Sequence, residues 1–357
     1  MKITKKIHIE GDFIDSFIYS GSLFLVDTQL KLTTYSWNDL LNASNCTPEL
    51  NKTLHNCFSD IRTENIEALE DTYTVYHDVL NTHCTDELFL DSWPTDLDIY
   101  KNNFLISSNE GIQTFKCNRE QNGRNVKIDF DKNIKKMWNE KVFELAVGSL
   151  DRLIISCGVM GAFELFTNSY SEYRLTKDKH ISDKEWIGCE WDMNTGIAIL
   201  KNQLKQELLK FETLNQDHLS KLSNQLERNQ YFKTIKEEEP QEYELPTSNQ
   251  SYINSWVFDD KIYLFGEDLK LYEYSENSIH PVTQVDTNQK SIGTIIDSAK
   301  THFGVVFQDL DNLYLFDSNI HILSNDVTNW RTYPKSINYQ NHIHLIEDDY
   351  MTVQIFE

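Results

Sequence analysis

The sequence predicts an all-β fold in which one four-stranded unit recurs seven times, within a single domain spanning residues 1–357. Three observations predict it. A pattern of three short strands joined by two tight turns recurs along the chain. A further strand-like segment follows most copies. The last copy stops at Glu357 after its third strand, while Ile3 to Ile9 is a strand-like segment with no hairpin partner beside it in sequence.

The cleanest copy is Tyr252 to Tyr274. Strands Tyr252 to Phe258, Lys261 to Phe265 and Leu269 to Tyr274 are rich in aromatic and β-branched residues, and Asp259-Asp260 and Gly266-Glu267-Asp268 separate them. The others are Phe13 to Tyr35, Leu97 to Cys117, Val142 to Phe166, Trp186 to Phe211, Ile292 to Phe316 and Ser336 to Phe356. In the fourth, the third strand reads equally as the start of a helix. Candidate outer strands are Tyr73 to Val79, Val126 to Phe130, Ser171 to Thr176, Tyr231 to Ile235, Ile279 to Val285 and Ile320 to Ser324. The seventh unit has none after it, so Ile3 to Ile9 is expected to complete it and remove two exposed sheet edges.

Two insertions, 36–72 and 212–230, fall between third and fourth strands and are expected on one face. In the second, Leu219, Leu222 and Leu226 recur at helical spacing. The acidic, proline-bracketed segment from Lys236 to Gln250 reads as a mobile connection.

Composition narrows function. The net charge of −23 repels a phosphate backbone, so direct nucleic-acid binding is not expected. No apolar stretch is long enough to span a membrane, and the first residues lack the apolar core of a signal peptide. Six cysteines without a dense framework point to a reducing, cytoplasmic compartment.

No phosphate-cradling loop or nucleophile elbow is present. Cys46, His55, Cys57, His83 and Cys84 are zinc-compatible types, but no spacing matches a zinc pattern, so no metal or cofactor is expected. Cys117, Cys157 and Cys189 sit within predicted strands as core side chains, and His342 and His344 share one face of a strand. The acids Glu267-Asp268, Asp309-Asp311 and Asp348-Asp349 fall at turns, where geometry alone favours them. The first strands carry Asp15, Asp98, Glu144 and Glu190, the carboxylates an enzyme working along a central axis would use.

Seven meanders with N-terminal closure resemble the β-propeller superfamily, and the closure is similar to that of WD40 proteins. The Trp-Asp, Gly-His and kelch Gly-Gly signatures are absent, so the resemblance implies architecture and no functional residue. The expected function is a non-enzymatic interaction scaffold or regulatory subunit of a multi-protein complex, bound to one or more proteins, a basic one among them. The expected contacts are Trp37, Leu40, Leu41, Leu222 and Leu226 where the body leaves them open. The alternatives are a hydrolase or glycan or small-molecule binder using the central channel, and an acidic decoy that inhibits a nucleic-acid-binding protein.

Overall fold

The computed structural model describes residues 3–43, 71–122, 125–168, 173–202, 205–242, 252–275, 278–283 and 292–356. It is a seven-bladed β-propeller with a few short helices. The chain forms two compact units, one of Met1–Trp93, Phe115–Asn133 and Val285–Glu357, the other of Pro94–Thr114 and Ile134–Gln284.

Blade 5 shows how sequence makes a blade. Tyr252–Phe258, Lys261–Gly266 and Leu271–Ser275 pair in succession, and Ser278–Thr283 adds on the outside. Asp259 and Asp260 both adopt left-handed φ, 49° and 60°, the two-residue turn whose twist suits a hairpin. The same paired left-handed geometry makes the first turn of three other blades, at Ser20-Gly21, Lys101-Asn102 and Leu150-Asp151. Second strands are buried on both faces, as Arg152–Ser156 and His342–Ile346 are throughout. This double burial explains their continuous apolar runs.

Blade 1 comprises Phe13–Tyr19, Ser22–Asp27, Lys31–Ser36 and Cys84–Phe89. Blade 2 comprises Pro94–Tyr100, Asn103–Ser108 and the long Gly111–Asn122, flanked in turn by Asn125–Phe130 and Lys135–Trp138. Blade 3 is Glu144–Val147, Arg152–Ser156, Ala162–Asn168 and Arg174–Ser182. Blade 4 is Gly188–Trp191, Ile197–Lys201, Gln206–Lys210 and the two-residue Gln241–Glu242. Blade 6 is Asp297–Thr301, Gly304–Gln308, Leu313–Phe316 and Ile320–Ser324.

Blade 7, Asn329–Thr332, His342–Ile346 and Tyr350–Phe356, is closed by Ile3–Glu10 in antiparallel register from Ile3 opposite Phe356 to Glu10 opposite Tyr350. The expected closure is therefore present. Its strength lies in burial: Ile7 and Ile9 pack among Met351, Val353 and Ile355.

The structure corrects several boundaries. Asp71–Val75, expected to serve blade 1, instead runs parallel to Lys5–Ile9 as a fifth strand of blade 7, and His77–Thr82 is a helix. Tyr73 and Val75 bury against the closing strand's core, a better environment than a half-exposed outer edge. The outer strand of blade 1 is the more polar Cys84–Phe89. Tyr231 to Ile235, expected as a strand, lies inside the helix Gln225–Glu237, which Asn224 caps by accepting the Glu227 N–H at 3.0 Å. The same cap separates that helix from Gln216–Lys221, so Leu219, Leu222 and Leu226 do not share one helical face.

Lys236-Glu237 ends the helix and Gln241–Glu242 forms a strand, while residues 243–250 of the expected mobile connection lie outside the described residues. The first strands of blades 6 and 7 are Asp297–Thr301 and Asn329–Thr332, later and earlier than expected, and the outer strand of blade 3 runs on to Ser182. The third strand of blade 4 is a strand, Gln206–Lys210.

Candidate functional site

A polar position repeats on the first strands. Aligned by their pairing with the second strands, Asp15, Asp96, Glu144, Asn254, Asp297 and Asn329 occupy corresponding places; in blade 4 the place is held by Gly188, and Glu190 lies two residues further along. In blades 1, 2 and 5 a register shift falls immediately before it, between Phe13 and Asp15, Pro94 and Asp96, and Tyr252 and Asn254. A first strand has a neighbour on one side only, which leaves backbone N–H groups open. The short Asp or Asn side chain closes one of them. Its oxygen accepts the next residue's N–H at Ser16, Leu97, Ser255, Ser298 and Trp330, at 2.7 to 2.8 Å.

In the second unit the repeated position of blades 2 and 3 joins Glu190 of blade 4 in a cluster. Asp96 Oδ2 accepts the Leu145 N–H of blade 3 at 3.2 Å. Glu144 is one methylene longer and reaches blade 4, where its Oε2 accepts the Cys189 N–H at 2.8 Å. Gly188 makes room for this approach, since a Cβ there would lie 2.8 Å from Glu144 Oε2 and 3.0 Å from Lys201 Cγ. The Lys201 ammonium pairs with Glu190 Oε1.

Burial holds the Glu144 carboxyl well above the usual range, at about 8. The Lys201 ammonium opposes that rise, and the nearby Asp96 and Glu190 charges add to it. The cluster thus holds a proton on Glu144 near neutral pH and supplies its own cation in Lys201. Burial and the Glu144 carboxylate push the Cys189 thiol up in pKa, so it stays a protonated core side chain.

Of the four first-strand carboxylates expected from sequence, Glu144 and Glu190 enter this cluster. Asp98 accepts the Ile99 N–H at 2.7 Å. Asp15 belongs to the first unit, where Arg331 Nη2 donates to its two oxygens at 3.1 and 3.4 Å. Asp96 was missed because the register shift before it cannot be counted from sequence. Its signal is the Asp, Glu or Asn that recurs at the same place in six of the seven first strands.

A second polar group lies in the first unit. Ser16 Oγ and Tyr333 OH each lie 3.0 Å from His344 Nδ1. A serine beside a histidine suggests a nucleophile and its base, but Ser16 and His344 are both buried, and Asp15 serves Arg331 and the Ser16 N–H. Burial holds His344 neutral, with a pKa well below the imidazole range. This network packs blade 7 against blade 1, as expected for the shared face of His342 and His344.

Trp37, Leu40 and Leu41 are buried in the core with Ile7, Ile9 and Leu80. They bury the apolar side of the helix Trp37–Ala43 and are not surface contacts. Leu222 is half-buried, and Leu226 stands 78% exposed in the first turn of the helix Gln225–Glu237. Cys46, His55 and Cys57 lie outside the described residues; among the described residues no three His, Cys, Asp or Glu side chains are grouped to hold a metal ion. Cys117, Cys157 and Cys189 are core side chains, as expected. The turn acids serve geometry: Asp309 accepts N–H groups from Gly293, Asp311 and Asn312, and Asp268 accepts from Lys270 N–H and Tyr272 OH. No family model matches the chain, and no curated protein matches its sequence.

Proposed function

We propose that this protein is a non-enzymatic interaction scaffold, a cytoplasmic regulatory or structural subunit that binds a basic protein. The observation that carries the reading is the use made of the first-strand polar side chains. Asp15, Asp96, Glu144 and Glu190 are engaged by backbone N–H groups, Arg331 or Lys201. Carboxylates so engaged hold strands in place within each unit, the net charge of −23 favours a cationic partner, and rigid repeats with variable connections suit protein recognition. The closure, similar to that of WD40 proteins, supports the same division between a repeated body and variable loops. Among the described residues no helix is long and apolar enough to cross a membrane.

One observation favours a second reading, hydrolase or small-molecule binding: the raised pKa of Glu144 suits a proton donor. The decoy reading is supported less, because the acids of the turns are individually held by turn N–H groups. Capture of the tagged full chain from its native host, with mass spectrometry, separates these readings. The expected result is one or more proteins recovered in fixed ratio. Recovery of no protein, together with turnover of a glycoside or ester panel that Glu144→Gln abolishes, would overturn the scaffold in favour of an enzyme.

A further inference from the structure

The second unit exposes apolar side chains on a stiff support beside the acidic cluster. The turn between the second and third strands of blade 3 runs Cys157-Gly158-Val159-Met160-Gly161. Val159 is 80% exposed and Met160 42%. A solvent-facing valine on a mobile loop would carry little meaning, but this turn is fixed. Gly158 and Gly161 take left-handed φ, 61° and 89°. The Cys157 N–H donates to Gly161 O at 2.9 Å, and His180 Nε2 lies 3.3 Å from Met160 O.

Gly158 and Trp186 exchange both backbone hydrogen bonds, at 2.7 and 3.1 Å. That bridge sets Val159 beside the connection that carries Ile187, itself 38% exposed. Ile187 precedes Gly188, the residue against which the Glu144 carboxylate lies. The bridge therefore sets the exposed turn side by side with the exposed acids of the 183–188 connection.

Charge decides what covers this surface. Glu140, Asp183 and Glu185 are exposed along it, and Glu144 is half-buried behind it. Of the nearby cations, Lys184 is paired with Glu207 at 2.5 Å, Lys201 with Glu190, and His180 Nδ1 lies 3.2 Å from Asp183, while the Lys141 ammonium lies over the Phe143 ring at 4.1 Å and that of Lys205 over the Trp186 ring at 5.6 Å. The balance is acidic, so a partner with its own acids is repelled and a cationic one drawn in.

We propose that the 157–161 turn and the 183–188 connection form a docking surface for a basic protein segment, one that presents an apolar side chain next to a lysine or arginine. The apolar side chain covers Val159, Met160 and Ile187, and the cation lies toward Asp183 and Glu185. Because the turn is already held in place, little conformational freedom is lost on binding. This inference rests on the scaffold reading and names its contact surface.

The test uses the full chain and short synthetic peptides in which Lys or Arg adjoins Leu, Phe or Trp, with two controls: Glu replacing the cation and Ser replacing the apolar residue. Binding is read by fluorescence anisotropy. The basic apolar peptides are expected to bind better than both controls and to weaken as salt is raised. Val159→Asp should weaken them by about tenfold or more, and the double reversal Asp183→Lys with Glu185→Lys should flatten the salt dependence. All three positions are exposed, and an unchanged melting curve verifies folding.

Peptides that fail to bind, or bind equally to Val159→Asp, overturn the docking surface. The same holds if Val159→Asp still captures the native partner in full, an outcome that leaves the scaffold reading standing. Failure of the unsubstituted chain to capture any protein is the distinct outcome that counts against the scaffold itself.

Discussion

At the scale of single residues, the carboxyl of Glu144 carries the most information. It is held by the Cys189 N–H and kept from full ionisation chiefly by burial. An unfolded chain releases this proton near pH 4.3, whereas the folded chain keeps it to about 8. Between those values the native state binds more protons than the unfolded one, so stability falls as pH rises, by at most about 1.4 kcal/mol per pH unit for one group. Glu144→Gln removes that titration and keeps an oxygen for the Cys189 N–H. Melting from pH 5 to pH 8 should therefore be flatter in the variant than in the natural protein, and parallel profiles would contradict this placement of Glu144. Glu144 and Glu190 were legible as first-strand carboxylates from their places in the repeats. Asp96 was not, because a one-residue shift before it alters the period-two count by which sequence assigns a face.

At the scale of elements, what the sequence made legible depends on burial. Second and third strands are covered on both sides, so their apolar runs and tight turns mark them clearly. Outer strands are half in water and carry charge, as Asp86 and Glu87 do in blade 1, and so resemble loops. Blade 4 has the shortest outer strand, and its neighbouring segment became a helix because a cap at Asn224 outweighed the β-branched Thr234 and Ile235. Trp37, Leu40 and Leu41 read as surface contacts only while the closing blade's core beside them was unknown. The N-terminal strand is the element whose loss should be felt most. Ile9→Ala is expected to cost about 2–5 kcal/mol, as for other fully buried aliphatic side chains. Deletion of Lys2 to Ile9 should lower the melting temperature of the whole protein by more. A truncated chain that melts unchanged would remove the closure from any part in stability.

At the scale of the molecule, the repeated body and its interruptions divide their work. Blade 5 carries no insertion and identifies the scaffold. Blades 3 and 4 gather an acidic cluster, a stiff apolar turn and a pair of capped helices. Leu226 on those helices is a single exposed apolar residue, which is common on protein surfaces, whereas Val159 and Met160 share a fixed turn that a backbone bridge ties to the connection carrying Ile187. The Gly158-to-Gly161 turn was legible from its glycines. Its bridge to Trp186, which makes it a surface and not merely a turn, joins residues far apart in sequence and appears only in the fold. Amide hydrogen exchange of the full chain, alone and bound to the partner captured from its host, tests this account most directly. The predicted result is slowed exchange in the 157–161 turn and the 183–188 connection. Slowed exchange confined to the helices Gln216–Lys221 and Gln225–Glu237, or none in blades 3 and 4, would contradict it.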